Sequence, residues 1–221
     1  MKSKVEELVK KYNIDLKKLE SEQNKLAKAI EIKDFRDFKD VEIVGGIDNT
    51  FFKNKIISAI VVMDVNGEVV GQQYFSDVLK FPYLPGFRAY RELPAMLEAF
   101  RKLDIKPEVM FVKGHGTAHP RLGLASHFAL SAQIPCIGVA DSLVVGEEKG
   151  GKIILNGKEV GVVLHTKEGS KPIYVSPGNL ISLKSAADLT ERFIKKPHKL
   201  PDPIVQAHKY GKKVRKEVFA D

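Results

Sequence analysis

The sequence predicts an α/β protein with a mixed sheet, three antiparallel then parallel strands, and flanking helices. One observation is a β-rich block at residues 42–74 that contains Asn66-Gly67, the strongest short hairpin signal. Another is that two short buried strands flank a helix between residues 108 and 140, which indicates parallel pairing through a right-handed crossover. The length of 221 residues fits one large domain or at most two small ones.

Composition narrows the class of protein. The chain is 43% hydrophobic and 29% charged, and Cys136 is its single cysteine, which excludes an intramolecular disulfide and a cysteine-based zinc site. No apolar run approaches 18 residues, and the first thirty residues lack the apolar core of a signal peptide. We therefore expect a cytoplasmic protein without a membrane partner. The net charge of +8 favours nucleic acid as partner, although scattered surface lysines explain it nearly as well.

The first half of the chain divides into a helical segment and a strand block. Apolar residues at three- and four-residue spacing predict one or two amphipathic helices within residues 3–30. We treat 1–35 as an N-terminal helical extension and 36–221 as the main domain. Three strands follow, and they are expected at residues 42–52, 55–65 and 68–74. The two prolines and the glycine of 81–86 predict a loop before a helix at 88–103.

The second half alternates strands and helices. The predicted elements are a strand at 108–112, a loop at 114–123, a helix at 124–133, a strand at 135–140, a hairpin at 152–166, a strand at 172–175 and a helix at 182–194. Ser182 is a suitable N-cap for the last helix. The tail from residue 195 is basic and broken by prolines. It is expected either to hold phosphates or to be solvated and frayed.

Two loop segments contain residues that suit a nucleic-acid ligand. FPYLPG (81–86) is a rigid turn that presents an aromatic and an aliphatic side chain. It could insert into a base stack as a wedge, or it could pack its aromatic side chain on its own core. GHGTAHPRLGLASH (114–127) follows a buried strand, and its glycines allow close approach to a ligand. Its histidines lack the standard metalloprotease spacing.

Together these motifs resemble those of the endonuclease V family, repair nucleases that recognise deaminated adenine. The resemblance covers residues 41–208, and its pieces are GID (46–48), FPYLPGFRAYRE (81–92), GHGTAHPRLGLASH (114–127), IPCIGVA (134–140) and LPDP with a later AH (200–208). It implies a ribonuclease H-like fold and a Mg²⁺-dependent deoxyinosine 3′ endonuclease. Such an enzyme of DNA repair hydrolyses the second phosphodiester bond 3′ of the lesion.

The resemblance also implies which residues contact DNA. The Pro82–Pro85 turn with Tyr83 would separate the strands, and backbone groups of both loops would read the Watson–Crick edge of the flipped hypoxanthine. The implied DNA-binding residues are Pro82, Tyr83, Leu84, Pro85, Gly86, Phe87, Gly114, His115, Gly116, His119 and Gly123.

The implied catalytic residues include carboxylates, because Mg²⁺ prefers oxygen ligands and stabilises the charged transition state of phosphodiester hydrolysis. Asp48 and Glu92 match the first two carboxylates of the family. His208 matches a late histidine that assists the attacking water or contacts phosphate. Mn²⁺ is expected to substitute for Mg²⁺.

Two positions depart from the family pattern. Lys113 stands where the family has its third aspartate, and Asp141 stands where the family usually has lysine. Because both residues end strands predicted to be parallel neighbours, we hypothesise a charge swap. In it, Asp141 joins Asp48 and Glu92 as a metal ligand, and Lys113 takes over the phosphate-facing or charge-balancing role of the usual lysine in catalysis.

The amino-acid sequence leaves other functions open. A catalytically silent homologue would bind inosine-containing DNA or RNA without cutting it. A structural or ribosome-associated basic domain is a third class, which the wedge and the glycine loop disfavour. The sequence contains no signal that separates DNA from RNA, since that choice depends on contacts with the 2′-hydroxyl. No obligate protein partner is indicated.

Overall fold

A computed structural model describes residues 2–219. Among these residues one sheet has the strand order β3-β2-β1-β4-β5-β9-β8-β7-β6. The strands are β1 (Ile43–Phe52), β2 (Lys55–Asp64), β3 (Val69–Val78), β4 (Val109–Lys113), β5 (Cys136–Ala140), β6 (Glu147–Lys149), β7 (Lys152–Leu155), β8 (Lys158–Leu164) and β9 (Ile173–Asn179). The helices are α1 (Lys2–Lys11), α2 (Leu16–Ala27), α3 (Arg88–Arg101), α4 (Leu124–Ala132), α5 (Leu183–Arg192) and α6 (Asp202–Val218).

The strand pairing confirms the predicted mixed sheet. Strands β1, β2 and β3 pair antiparallel, and β4 joins β1 and β5 by parallel pairing. The other half of the sheet is antiparallel again, because β9 runs against β5 and the remaining strands follow as hairpins. The short exposed strand β6 was not predicted. Strand β9 extends four residues beyond the predicted end, through Pro177 and Gly178, two residue types that discourage a strand assignment.

Helices cover both faces of the sheet. On one face, α3 and α4 pack on apolar residues of β1, β2 and β4, among them Ile47 and Met110. On the other face, α5 and α6 pack on a second apolar layer that includes Val44 and Phe111. Ser182 caps α5 as predicted, since its hydroxyl accepts a hydrogen bond from the Ser185 amide. No helix described between residues 2 and 219 is both long and apolar enough to cross a membrane.

The expectation of a frayed basic tail is wrong, because residues 202–218 form α6. Its buried residues Ile204, Ala207 and Val214 recur at helical spacing and face the sheet, where α6 contacts β1 and β2. The first turn lies so close to β1 that only glycine fits at position 46: a Cβ there would lie 2.1 Å from the carbonyl carbon of Pro203. This close packing brings His208 above β1.

Candidate functional site

Asp48 and His208 form a pair near the middle of β1, where α6 crosses it. Asp48 Oδ2 lies 2.7 Å from His208 Nδ1. An ionised carboxylate only accepts hydrogen bonds, so Nδ1 is the donor and Nε2 is left free. The Asp48 side chain is 13% exposed and the His208 side chain 47% exposed. A water molecule can therefore reach an imidazole whose orientation is fixed by a nearly buried carboxylate.

Glu92 lies on α3, on the opposite face of the sheet from His208. It is 1% exposed, and Arg88, one turn earlier, donates to both of its carboxylate oxygens at 2.7 and 2.9 Å. Asn49 adds a third hydrogen bond at 2.8 Å. Burial lowers the pKa of Arg88, but the bonds and charge of Glu92 outweigh this and leave that pKa raised. Both oxygens of Glu92 are thus already bonded within the protein.

Lys113 and Asp141 meet as the charge-swap hypothesis requires. Lys113 Nζ lies 2.5 Å from Asp141 Oδ2, and Lys199 Nζ lies 3.2 Å from Oδ1. Burial alone would raise the pKa of Asp141, but hydrogen bonds and positive charge from the two lysines outweigh this effect and leave that pKa lowered. The parallel register places Lys113 beside Asp48, because Val112 pairs with Ile47. The two swapped positions therefore share one cluster at the carboxyl ends of β4 and β5.

The three carboxylates predicted to share Mg²⁺ do not form a ready-made site. Within residues 2–219, no group of three or more His, Cys, Asp and Glu side chains could hold a metal ion. Asp141 is bonded to two ammonium groups, and Glu92 is bonded to Arg88 and Asn49. As they stand, the residues do not fit an ion held jointly by Asp48, Glu92 and Asp141.

A cavity of about 410 Å³ lies between the two predicted recognition loops. This volume falls within the usual range for small-molecule sites, about 300–1,000 Å³. Of the predicted DNA-binding residues, the cavity is lined by Tyr83, Pro85, Gly86, His115 and His119. Residues outside that prediction also line it, among them Arg88, Arg121 and Ser142. Arg88 bonds to Glu92 and Ser142 follows Asp141, so the cavity adjoins the charged clusters.

The proline turn exposes one large side chain at its tip. Tyr83 is 59% exposed, whereas Leu84 is 1% exposed. The expectation of an aromatic and an aliphatic side chain on the same wedge is therefore wrong for Leu84. Pro85 is exposed and Pro82 is buried. At the tip of this turn Tyr83 and Pro85 are exposed, and Leu84 between them is buried.

The remaining predicted contacts support the cavity from behind. Phe87 is 6% exposed and lies under the Arg121 guanidinium, 4.7 Å from its carbon to the ring centroid. A Cβ on Gly123 would lie 2.2 Å from the carbonyl oxygen of His115, so glycine is required where the loop folds back on itself. Gly114 and Gly116 belong to the same loop and are not among the lining residues. Phe87 and these glycines therefore support the residues that line the cavity without lining it themselves.

Burial favours the neutral form of both cavity histidines, because it lowers their pKa values. Burial, aided by neighbouring positive groups, lowers the pKa of His119 to about 4. Burial is also the main cause that lowers the pKa of His115. His119 Nδ1 accepts a hydrogen bond from the Arg121 amide at 3.2 Å, so the ring's other nitrogen carries its proton. His115 Nε2 lies 2.8 Å from the carbonyl oxygen of Ser142.

Several residues of the site were missed from the sequence. Arg88 could have been found, since its spacing from Glu92 is that of a helical ion pair. Lys199 was expected only as one of the tail residues that could hold phosphates. Neither its contact with Asp141 nor that of Arg121 with Gln23 could be read from the sequence, because the partners come from distant segments. Gln23 of α2 was missed for the same reason, although it contacts both loops of the cavity.

The arrangement defines a class of protein. A carboxylate–histidine pair lies in the middle of a central strand, and an exposed tyrosine lines a cavity that adjoins clusters of basic side chains. A concave site with a few polar groups next to basic side chains is the kind of site expected of a protein that acts on nucleic acid.

Comparisons with known proteins assign the family. Residues 24–209 match the Endonuclease V family. The chain is 36% identical over 217 residues to an Endonuclease V of Petrotoga mobilis, covering 94% of this chain and 97% of that protein. Its structure resembles Endonuclease V from Streptomyces avermitilis, with a TM-score of 0.84 and 28% identity over 92% of this chain and 94% of that one.

A further solved structure is Ciona intestinalis Endonuclease V in complex with a 24mer DNA containing an inosine followed by a ribo-adenosine. It has a TM-score of 0.82 and 25% identity, covering 92% of this chain and 98% of that one. The chain belongs to the endonuclease V family of nucleases, and its mixed sheet has the ribonuclease H-like fold.

Proposed function

We propose that the protein is a DNA-repair endonuclease that recognises deoxyinosine and hydrolyses the second phosphodiester bond 3′ of it. The observation that supports this most is the cavity beneath Tyr83, which Arg88 connects to Glu92. A flipped base in the cavity leaves its backbone beside the charged clusters. The Ciona intestinalis relative bound to inosine-containing DNA supports the same substrate class.

Recognition of the base rests on neutral polar groups. Hypoxanthine carries an N–H and a carbonyl where adenine carries an acceptor nitrogen and an amino group, so fixed donors and acceptors distinguish the two bases after flipping. His119 presents Nε2–H as a donor because its Nδ1 accepts a hydrogen bond from the Arg121 amide, and a pKa of about 4 keeps the ring uncharged. Tyr83 fills the gap left in the stack, a contact worth about 1–3 kcal/mol.

The hydrolytic step is assigned to the Asp48–His208 pair. Asp48 orients the imidazole, and the free Nε2 of His208 accepts a proton from the attacking water as its oxygen bonds to phosphorus. The P–O3′ bond breaks, and the leaving 3′ oxygen takes a proton from solvent to give the 3′-hydroxyl. Lys113, which the strand register places beside Asp48, and Lys199, which shares the partner Asp141 with it, are assigned to contact the phosphate. The Mg²⁺ requirement, with Mn²⁺ as substitute, stays a prediction, because the side chains do not form a three-carboxylate site.

A nicking assay tests the proposal. A labelled duplex with one deoxyinosine is compared with the same duplex carrying deoxyadenosine, in Mg²⁺, in Mn²⁺ and in EDTA. We expect cutting of the deoxyinosine strand alone, and loss of about 10²–10⁴-fold in rate for His208→Ala if it acts as general base. His165→Ala is the matched control, since His165 is exposed and directly follows β8, far along the sheet from β1. Equal cutting by both variants would refute the role of His208.

The second candidate is a protein that binds deoxyinosine without cutting. The observation that favours it is the pairing of both additional carboxylates with cations, Glu92 with Arg88 and Asp141 with two lysines. This second candidate predicts that the wild type binds deoxyinosine DNA selectively and yields no cut strand. In that case Lys113→Asp, which adds a carboxylate beside Asp48, is expected to gain Mg²⁺-dependent cutting. Binding to an inosine-containing RNA of the same sequence separates RNA from DNA.

A further inference from the structure

Helix α2 bridges the two loops that line the cavity. The Gln23 side chain is buried, with 1% of the residue exposed. Its Nε2 donates to the Gly86 carbonyl at 3.0 Å and to the Leu122 carbonyl at 3.5 Å. Its Oε1 accepts from Arg121 Nε at 2.6 Å. One buried amide therefore connects the turn that carries the wedge to the loop that carries the cavity histidines.

The same helix fixes the orientation of Arg121. Glu20 Oε1 lies 3.3 Å from Arg121 NH1, and the guanidinium carbon lies 4.7 Å from the centroid of the Phe87 ring. Three groups from two segments thus restrain one cationic side chain of the cavity wall. Gly86 on the facing wall adopts a φ of +80°, and a Cβ there would lie 3.0 Å from Arg121 NH2. Gly86 and Arg121 therefore lie close together at the place where Gln23 bonds to both.

We propose that Gln23 is a positioning residue that sets the discrimination of hypoxanthine from adenine by fixing Gly86 and Arg121. The inference rests on the proposed function of the cavity. Two bases that differ by one donor and one acceptor are separated only by polar groups held within about 0.5 Å. Gln23 lies just before residues 24–209, which match the family. It also belongs to the N-terminal helical extension, residues 1–35, for which the sequence indicates no role.

Two substitutions of Gln23 and one control test the proposal. Gln23→Leu removes all three hydrogen bonds with little change of volume, and Gln23→Glu keeps only the acceptor toward Arg121. Asn24→Leu is the matched control, because Asn24 is the next residue of α2 and is exposed. Binding of single-stranded oligonucleotides with one deoxyinosine or one deoxyadenosine is measured by anisotropy, in a His208→Ala background that keeps the strand intact.

We expect Gln23→Leu to reduce the ratio of the two dissociation constants by about tenfold, as loss of about 1.4 kcal/mol would. Gln23→Glu should fall between it and the control, and Asn24→Leu should keep the full ratio. A folded Gln23→Leu that keeps the ratio overturns the inference, as does an equal loss in the control. If Gln23→Leu does not fold by circular dichroism, an unchanged ratio in Gln23→Glu overturns it. A wild type without preference overturns the proposed function itself.

Discussion

The close contact between β1 and α6 gives a direct prediction for Gly46→Ala. The added Cβ would lie 2.1 Å from the carbonyl carbon and 2.2 Å from the carbonyl oxygen of Pro203. The nearer contact is 1.3 Å short of the 3.4 Å at which ordinary van der Waals contact begins. Because both partners are backbone, no side chain can rotate away, and the first turn of α6 must retreat.

We expect Gly46→Ala to lower the free energy of unfolding by about 3 kcal/mol, the upper part of the range for overpacked cores. In urea the midpoint should fall by about 1 M or more for a slope of about 1–3 kcal/mol/M. The retreat also separates His208 from Asp48, so cutting should fall more than stability alone explains.

Gly71→Ala is the matched control for this measurement. Gly71 lies on β3, and a Cβ there would meet Val62 at 3.7 Å, an ordinary contact. Its substitution should be neutral, or stabilising by about 0.4–1 kcal/mol through the unfolded chain. Equal midpoints for the two variants would refute the reasoning about the α6 contact.

Three further predictions follow from burial and exposure. Tyr83→Ala should weaken binding to deoxyinosine DNA by about 1–3 kcal/mol in a titration, with an unchanged melting temperature, because the side chain is mostly exposed. Burial lowers the pKa values of His119 and His127 to about 4, below the value of about 6.5 in the unfolded chain. The free energy of unfolding should therefore be highest above pH 6.5 and fall toward pH 4 by up to about 1.4 kcal/mol per pH unit for each ring, because the unfolded state takes up protons first. His127→Leu should flatten this pH profile in urea titrations. Arg88→Leu should destabilise the fold by about 3–5 kcal/mol, since it leaves Glu92 buried without its cation, and a normal unfolding midpoint would contradict this.

The strand pairing near the site could be predicted from the sequence, because it depends on short-range patterns. Two short apolar strands on either side of a helix fix a parallel pair, and parallel strands end at the same edge of a sheet. For that reason the sequence pattern is enough to predict the contact between Lys113 and Asp141.

Other features depend on distant packing that local patterns do not encode. The basic, proline-containing stretch after residue 195 has weak helix signals, and α6 becomes evident only when its apolar stripe meets β1 at Gly46. Which residue of the proline turn faces solvent was equally open, and Leu84 proved to be buried. Lys199 reaches Asp141 from 58 positions along the chain, and Gln23 reaches Leu122 from 99 positions.

The most direct test of the proposed function is the position of the cut in a 5′-labelled strand that carries one deoxyinosine. The product length is read against a sequencing ladder, with the deoxyadenosine strand run beside it. We predict one product that ends in a 3′-hydroxyl, one nucleotide beyond the lesion, and none from the deoxyadenosine strand. No product despite selective binding, or equal cutting of both strands, would contradict the assignment of a deoxyinosine 3′ endonuclease.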